Sequence, residues 1–414
     1  MLEHDIVIIG GGPAGMAAAV AAFDKGVTDI VILDRDDDIG GILRQCIHNG
    51  FGLHKLGREL TGPEYAAVYK SQVEERGIKV YYETMVTDLT SDKIVTASNR
   101  DGILKIKAKA VILAMGCRER SRGALNISGK RPAGVYSAGT AQKLMNCEGY
   151  MVGKRAVILG SGDIGLIMAR RMSLEGAKVE AVCELMPYSG GLTRNIVQCL
   201  EDFGIPLYLS TTVCEIHGDR RLEGVTIAEV DSNRRVIEET KRYIPCDTLL
   251  LSVGLIPENE LTRSAGVAID PITNGAIVDE NRQTEIPGIF ACGNVLQVHD
   301  LVDYVSDEAE IAGRAAADLV LGSKAGDKTI KTEAGNGVRY VLPQRVSNTD
   351  TDVALFMRVT QPFGKVRFTV KSGDEVLATA VRLKAAPGEM EKIIVKSSKL
   401  YLVKDNITVS LEEI

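Results

Sequence analysis

Short apolar runs that end near glycine recur along this chain, separated by stretches whose apolar residues return every three or four positions. Residues 6–9, 110–114, 155–159, 248–253 and 288–294 are runs of the first kind. An apolar run of that length reads as a strand covered on both faces, the habit of parallel sheets. Residues 29–33 and 178–183 follow two of these runs after a helix-length gap. Helices are predicted at 16–22, 62–77, 166–175, 192–203 and 306–321. Within 62–77, Tyr65, Val68, Tyr69 and Val73 fall on one face. Residues 79–82, 85–89, 93–98, 104–108, 207–210 and 225–230 read as further strands. Strand, helix and strand in this order predict an α/β fold with parallel sheets.

The pattern changes after residue 324. Residues 324–336, rich in Gly, Lys and Thr, read as a linker. Residues 353–358, 365–370, 376–384, 391–395 and 407–411 are short, alternating and β-branched, with turns at Gly373-Asp374 and Pro387-Gly388. They predict a small antiparallel β domain, a sandwich being one form. No catalytic set is recognisable in it.

Two of the apolar runs open onto G-x-G-x-x-G. Gly10, Gly12 and Gly15 form the first copy, with Pro13 and Ala14 at the start of the helix; Gly160, Gly162 and Gly165 form the second, with Asp163 and Ile164 inside it. The first glycine allows a tight turn, the second lets backbone approach a pyrophosphate, and the third lets helix and strand pack closely. The phosphates would meet free N–H groups at the helix start. In each copy the next strand ends in an acid, Asp34 or Glu184, nineteen residues after the last glycine. Such an acid accepts hydrogen bonds from ribose hydroxyls. Repetition at matched spacing points to two dinucleotides; tight β–α turns without ligand are the alternative. Leu185, Met186 and Pro187 follow Glu184 with no cation, which favours NAD(H) over the 2′-phosphate of NADP(H).

Composition narrows the setting. A chain of 414 residues with 45% hydrophobic residues can hold two or three domains. A net charge of −6 without a Lys/Arg run gives no sign of nucleic acid or a membrane surface. No apolar run reaches membrane-span length and no signal peptide is recognised, so a cytoplasmic setting is expected. The eight cysteines contain no C-x-x-C, which argues against an iron–sulfur cluster, a structural zinc or a local redox dithiol, and no metal site is expected. Residues 117–122, C-R-E-R-S-R, read as an exposed charge cluster, a solvated connector first and a substrate clamp or a docking surface second.

Two dinucleotide loops, with Ala114-Met115-Gly116 and Ser252-Val253-Gly254 as strand ends and Gly293-Asn294 as a late turn, resemble the pyridine nucleotide–disulfide oxidoreductase superfamily of flavoproteins over residues 5–322. The resemblance implies two Rossmann-like domains, the second inserted in the first: FAD-binding parts at 1–122 and 256–325 and an NAD-binding domain at 123–255; the β domain at 335–414 lies outside the superfamily core, as a subgroup addition. It places FAD on Gly10, Gly12, Pro13, Ala14, Gly15, Asp34, Arg35, Gly40, Gly41, Ile42, Val86, Ala114, Met115, Gly116, Gly293, Asn294, Leu301 and Val302. NAD falls on Gly160, Gly162, Asp163, Ile164, Gly165, Glu184 and Gly254. The following helix, near Ser306, would aim its positive end at the flavin pyrimidine ring. Asn294 departs from the family, which has an acid there. The C-x4-C pair of the disulfide reductases is missing, leaving Cys46 beside His48 after the double glycine.

The activity implied is hydride transfer between nicotinamide and flavin, which needs orientation and water exclusion more than acid–base residues. Residues 40–52 and 292–302 look most like bacterial FAD/NAD oxidoreductases encoded beside glycerol-3-phosphate dehydrogenase. That implies a partner dehydrogenase or small acceptor protein, with a homo-oligomer also compatible. The alternatives are a stand-alone NADH oxidase or peroxidase using Cys46 as a sulfenic acid centre, and a nucleotide-dependent sensor without turnover.

Overall fold

The computed structural model describes residues 1–323, 329–347 and 350–414. They divide into two compact units, Met1–Cys117 with Pro257–Ile414, and Arg118–Ile256.

The first unit begins with β1 (Leu2–Ile9), α1 (Pro13–Asp24) and β2 (Ile30–Leu33). Parallel β1 stands between β2 and β3 (Gly102–Leu113), with Lys79–Tyr81 beyond β2. Ile6, Val7 and Ile8 have no exposed surface, and each such side chain contributes roughly 1.5–3 kcal/mol on burial. The two strands predicted at 104–108 and 110–114 are one. Its first half pairs antiparallel with Ile94–Asn99 and its apolar second half pairs parallel with β1. The helix at 62–77 forms as Gly62–Glu75, opened by a capping box between Thr61 and Glu64.

The second unit repeats the plan with β4 (Arg155–Leu159), α2 (Asp163–Leu174), β5 (Lys178–Cys183) and β6 (Thr248–Leu251). Its parallel sheet runs Val135–Ser137, β6, β4, β5, Leu207–Tyr208. A second sheet of Ser128–Gly129, Thr211–His217, Gly224–Glu229 and Arg242–Pro245 shares a core with it. The helix expected at 192–203 breaks into Thr193–Cys199 and a 3-10 turn, Glu201–Phe203, closed by Gly204 in the left-handed region.

The chain re-enters the first unit through β7 (Ile289–Ala291), which pairs with β3, and α3 (Val302–Val320). The helix starts at Val302 rather than near Ser306, because Asp303, Val305 and Ser306 are already buried in its first turn. Gly313 lets α3 cross α1 closely: a Cβ there would stand 2.2 Å from the Ala18 carbonyl oxygen. Residues 324–328 of the expected linker lie outside the described residues, and Ile330–Ala334 is a strand. The tail therefore starts before 335. It forms a five-stranded and a three-stranded sheet around one core, as a sandwich, with one parallel pair, Ile330–Ala334 against Ile407–Glu413. Tyr340 and Leu342 of the tail bury themselves in a core of the first unit beside Leu33, Val86 and Leu113.

Candidate functional site

In the first unit, Gly12 N-caps α1 with extended backbone, and Pro13 is the first helical residue. A Cβ at Gly10 would stand 2.5 Å from the Ala114 carbonyl oxygen, and one at Gly15 would stand 1.8 Å from that of Gly10. A Cβ at Gly12 would meet nothing within 4 Å. The outer glycines are thus fixed by protein and the middle one faces open space. Asp34 is 8% exposed. Its Oδ2 accepts the Gly11 N–H at 2.6 Å and its Oδ1 the Asp36 N–H at 2.8 Å. Burial pushes this carboxyl above its usual range, against those two N–H donors. Gly40 donates its N–H to the Gly11 carbonyl at 2.8 Å, and a Cβ at Gly41 would press on Gly12 at 3.1 Å. The double glycine therefore lies against the loop, with Ile42 exposed beyond it. Arg35 is exposed and its charge opposes the upward shift of Asp34.

The second unit reproduces this with different side chains. A Cβ at Gly160 would stand 2.0 Å from the Ser252 carbonyl oxygen and one at Gly165 would stand 2.7 Å from that of Gly160. At Gly162 the nearest atom would be Ser252 Oγ, at 3.5 Å. Glu184 Oε2 accepts from the Ser161 N–H at 2.9 Å and from its hydroxyl at 2.7 Å; Oε1 accepts the Met186 N–H at 2.9 Å. Asp163 Oδ1 holds the following loop through the Leu192 N–H and the Asn195 side chain, at 2.8 and 2.7 Å. Ile164 packs at the edge of this unit's core. Gly254 has positive φ and accepts the Arg120 N–H at 3.0 Å.

Residues 4–317 match the family model described as pyridine nucleotide-disulphide oxidoreductase. The chain belongs to this family. Its relatives include an opine oxidase component from Agrobacterium tumefaciens, 26% identical over 76% of this chain and 64% of that protein. A component of alkyl hydroperoxide reductase from Pseudomonas aeruginosa is 28% identical over 71% of this chain and 54% of that protein. The chain thus spans between half and two thirds of these two relatives. Thioredoxin reductase of Treponema pallidum is 25% identical over 77% of this chain and 97% of that one. The structure of the T. acidophilum thioredoxin reductase superposes with a TM-score of 0.64 at 24% identity, over 78% of this chain and all of that one, which shows the fold. The family is FAD-dependent and uses NAD(P)H.

The first cradle fits such a dinucleotide: its middle glycine is open, its acid is buried and its helix start is uncapped by any side chain. At the other end of the expected FAD site, Ala114 is buried, Met115 packs against the core, and Gly116 turns with positive φ. Gly293 also has positive φ, and a Cβ there would stand 2.7 Å from that of Ala14. Its N–H donates to Glu308 Oε2 at 3.0 Å. Glu308 is fully buried and also accepts from Arg282 Nε at 3.1 Å and Gln297 Nε2 at 3.0 Å. The Asn294 Oδ1 accepts the His299 backbone N–H at 3.0 Å, and Nδ2 stands 3.6 Å from Cys117 Sγ. Burial holds the His299 imidazole below its usual pKa, against the pull of Glu308. Leu301 N-caps α3 and Val302 begins it. Val86 is a buried core residue on the Met85–Leu89 strand.

Cys46 follows the Gly41–Gln45 turn, half-buried, with its thiol toward the Ile42 carbonyl at 3.2 Å. The His48 ring nitrogen bonds the Asn49 carbonyl at 3.1 Å. None of the eight cysteines is joined in a disulfide. The 117–122 segment is not a uniformly solvated charge cluster. Arg118 and Arg120 are exposed, whereas Glu119 accepts the Gly139 N–H at 2.8 Å and Arg122 donates to the Lys130 carbonyl. Among the described residues no helix is long and apolar enough to cross a membrane and no metal cluster is formed.

Sequence reading missed Gly11, Ser161 and the pair Gly190-Gly191. The last had a signal: G-G follows Glu184 at the same six-residue spacing as Gly40-Gly41 follows Asp34. Gly190 donates its N–H to Ser161 Oγ at 3.1 Å, so this pair too folds against its loop. Glu308 and Arg282 are apart in sequence from every motif and had none.

Proposed function

We propose that this protein is an FAD-dependent oxidoreductase that exchanges hydride with NAD(H) and passes electrons to or from a separate protein or acceptor. The observation that carries this is the pair of cradles, each with an acid locked to the loop and the first with an open middle glycine, in a chain without a C-x-x-C. FAD, when bound, supplies two-electron acceptor chemistry at its ring. Gly10 to Gly15 would hold its pyrophosphate, Asp34 its adenosine ribose, and Gly293-Asn294 with the start of α3 its ribityl and ring end. Gly160 to Gly165 and Glu184 would hold the nicotinamide dinucleotide, with the Glu184 carboxylate favouring NAD(H) over NADP(H).

An external acceptor is favoured because the family's internal dithiol has no counterpart here. One relative is named as one component of an oxidase, which supports a multicomponent arrangement. A partner dehydrogenase, with glycerol-3-phosphate dehydrogenase as the first candidate, is the specific form of this proposal. The Cys46 oxidase or peroxidase reading is the alternative, with the thiol 3.2 Å from the Ile42 carbonyl. The test is anaerobic titration of the FAD-loaded protein with NADH, joined to co-purification from the native host. Stoichiometric bleaching with a dehydrogenase in the eluate supports the reading; a flavin that NADH does not bleach overturns it.

A further inference from the structure

We propose that the C-terminal β region orients the Asn294 carboxamide for FAD, with Arg358 as the positioning residue. This rests on the flavin reading above. Arg358 lies on the tail strand Val353–Val359 with its side chain mostly buried. Its guanidinium donates to the Val298 carbonyl at 2.9 Å and to Asp300 Oδ1 at 3.5 Å, and its other nitrogen to the Pro387 carbonyl at 3.0 Å. One guanidinium nitrogen, Nη2, therefore reaches the residues on either side of His299, while Nη1 ties the group to Pro387 of the tail. A second tail residue, Met390, donates its N–H to Asp300 Oδ2 at 3.3 Å. The residue held between these anchors, His299, is the one whose N–H reaches Asn294 Oδ1.

The consequence follows from hydrogen-bond polarity. An asparagine side chain has two nearly isosteric edges, one accepting and one donating. A backbone N–H can only donate, so the oxygen of Asn294 must face His299 and the NH2 must face away. A carboxylate at this position would accept on both edges and would need no such orientation. Asn294 does need it. The segment that supplies it, residues 298–300, is held by the tail. The tail thus makes the outer edge of residue 294 a donor: one N–H of the carboxamide points to Cys117 Sγ at 3.6 Å, and the second would serve the ribityl and ring end of the cofactor. Arginine suits this task because the two N–H groups of Nη2 serve the Val298 carbonyl and the Asp300 carboxylate while Nη1 fixes the planar group to the Pro387 carbonyl.

The test uses the full chain loaded with FAD. The dissociation constant of FAD and the shape of the flavin visible band are measured for wild type, R358Q, R358K, N294A and R358Q/N294A. R358Q should weaken FAD binding about tenfold, equivalent to about 1.4 kcal/mol, and alter the band. R358K, which keeps the cation and a single donor, should recover part of both. Because the two residues act through one contact, R358Q/N294A should bind no more weakly than the weaker single variant. Wild-type affinity and band in R358Q, or losses that add in full, overturn the proposal. If R358Q does not fold, R358K carries the comparison: a reduced affinity at an unchanged thermal midpoint supports the proposal, and wild-type affinity overturns it. A wild-type chain that takes up no FAD would instead overturn the flavin reading, and this inference with it.

Discussion

The main-chain N–H of Gly11 donates to Asp34 Oδ2 at 2.6 Å, and the N–H of Ser161 donates to Glu184 Oε2 at 2.9 Å. Each acid also accepts an N–H from two residues further on, Asp36 or Met186. Loop and acid are therefore tied together by hydrogen bonds in both units. The three glycines of the first loop have separate roles, because Gly12 alone of the three has no protein atom within 4 Å of a Cβ, whereas at Gly162 of the second loop Ser252 Oγ would stand 3.5 Å away.

That separation gives the first prediction. Gly12 has φ −72° and ψ −174°, which any residue adopts, and a Cβ there meets nothing. Gly12→Ala should keep its thermal midpoint within a few degrees yet lose FAD affinity by at least about tenfold. Gly15→Ala forces a Cβ into the Gly10 carbonyl and should destabilise the first unit by about 3 kcal/mol or more. Thermal melts and FAD titrations of both variants check this. Equal losses of stability would contradict it.

How far this was legible follows from where the signals lie. The cradles show in sequence because glycine, apolar run and acid sit within one β–α–β unit at fixed spacing, and Lys178–Cys183 falls on the bounds expected for it. The start of α3 was misplaced by four residues because Val302, Asp303 and Val305 carry no cap signature, and their burial depends on distant segments. The Gly293–Glu308–Arg282 cluster was invisible for the same reason: a buried Glu or Arg reads as surface until its partner is known. The tail's strands were legible by alternation, but its grip on residues 298–300 depends on one arginine of ordinary appearance and on the backbone N–H of Met390.

Glu184 carries a prediction about the reductant. Its carboxylate is held by three donors, so it would stay in place against the ribose that the proposed function puts there. Unit charges 4 Å apart repel by about 4 kcal/mol at a surface-like dielectric, far above the ~1.4 kcal/mol of a tenfold preference. NADH should therefore exceed NADPH in kcat/KM by at least about tenfold. Glu184→Ala should narrow that ratio while lowering both values, since Ser161 loses its anchor. Equal kcat/KM values for the two nucleotides in wild type would remove the basis for assigning NAD(H).

A pH dependence is written into the contact between the tail and the first unit. Ser347 donates to Glu280 through its N–H at 2.7 Å and its hydroxyl at 2.9 Å, and lies near Asp279. Burial first, and the Glu280 charge second, push the Asp279 carboxyl up to about 6 from 3.8. The folded state thus holds a proton that the unfolded chain releases between those values. Stability from this group is present below pH 3.8 and is lost as pH rises toward about 6, by about 3 kcal/mol at most. The thermal midpoint of Asp279→Asn should lack this decline, and wild type and variant should differ most below pH 6 in the slope, not only the height, of the curve.

Cys46 decides between an internal thiol centre and an external acceptor. A sulfenic acid mechanism needs the Cys46 sulfur in every cycle, and no other cysteine neighbours it in sequence to resolve it. Serine keeps a donor for the Ile42 carbonyl, so Cys46→Ser preserves the local turn while deleting the chemistry. If electrons leave for a separate acceptor, NADH turnover with an artificial acceptor should stay within about twofold of wild type, below the ~1.4 kcal/mol of a tenfold change. A collapse of turnover to background, with FAD content unchanged, would instead place the thiol on the electron path. The FAD measurement matters because Gly62 packs directly on Cys46 and opens the Gly62–Glu75 helix beneath the double-glycine turn. A packing fault at residue 46 would therefore appear as lost cofactor, whereas a chemical role would appear as lost turnover at full occupancy.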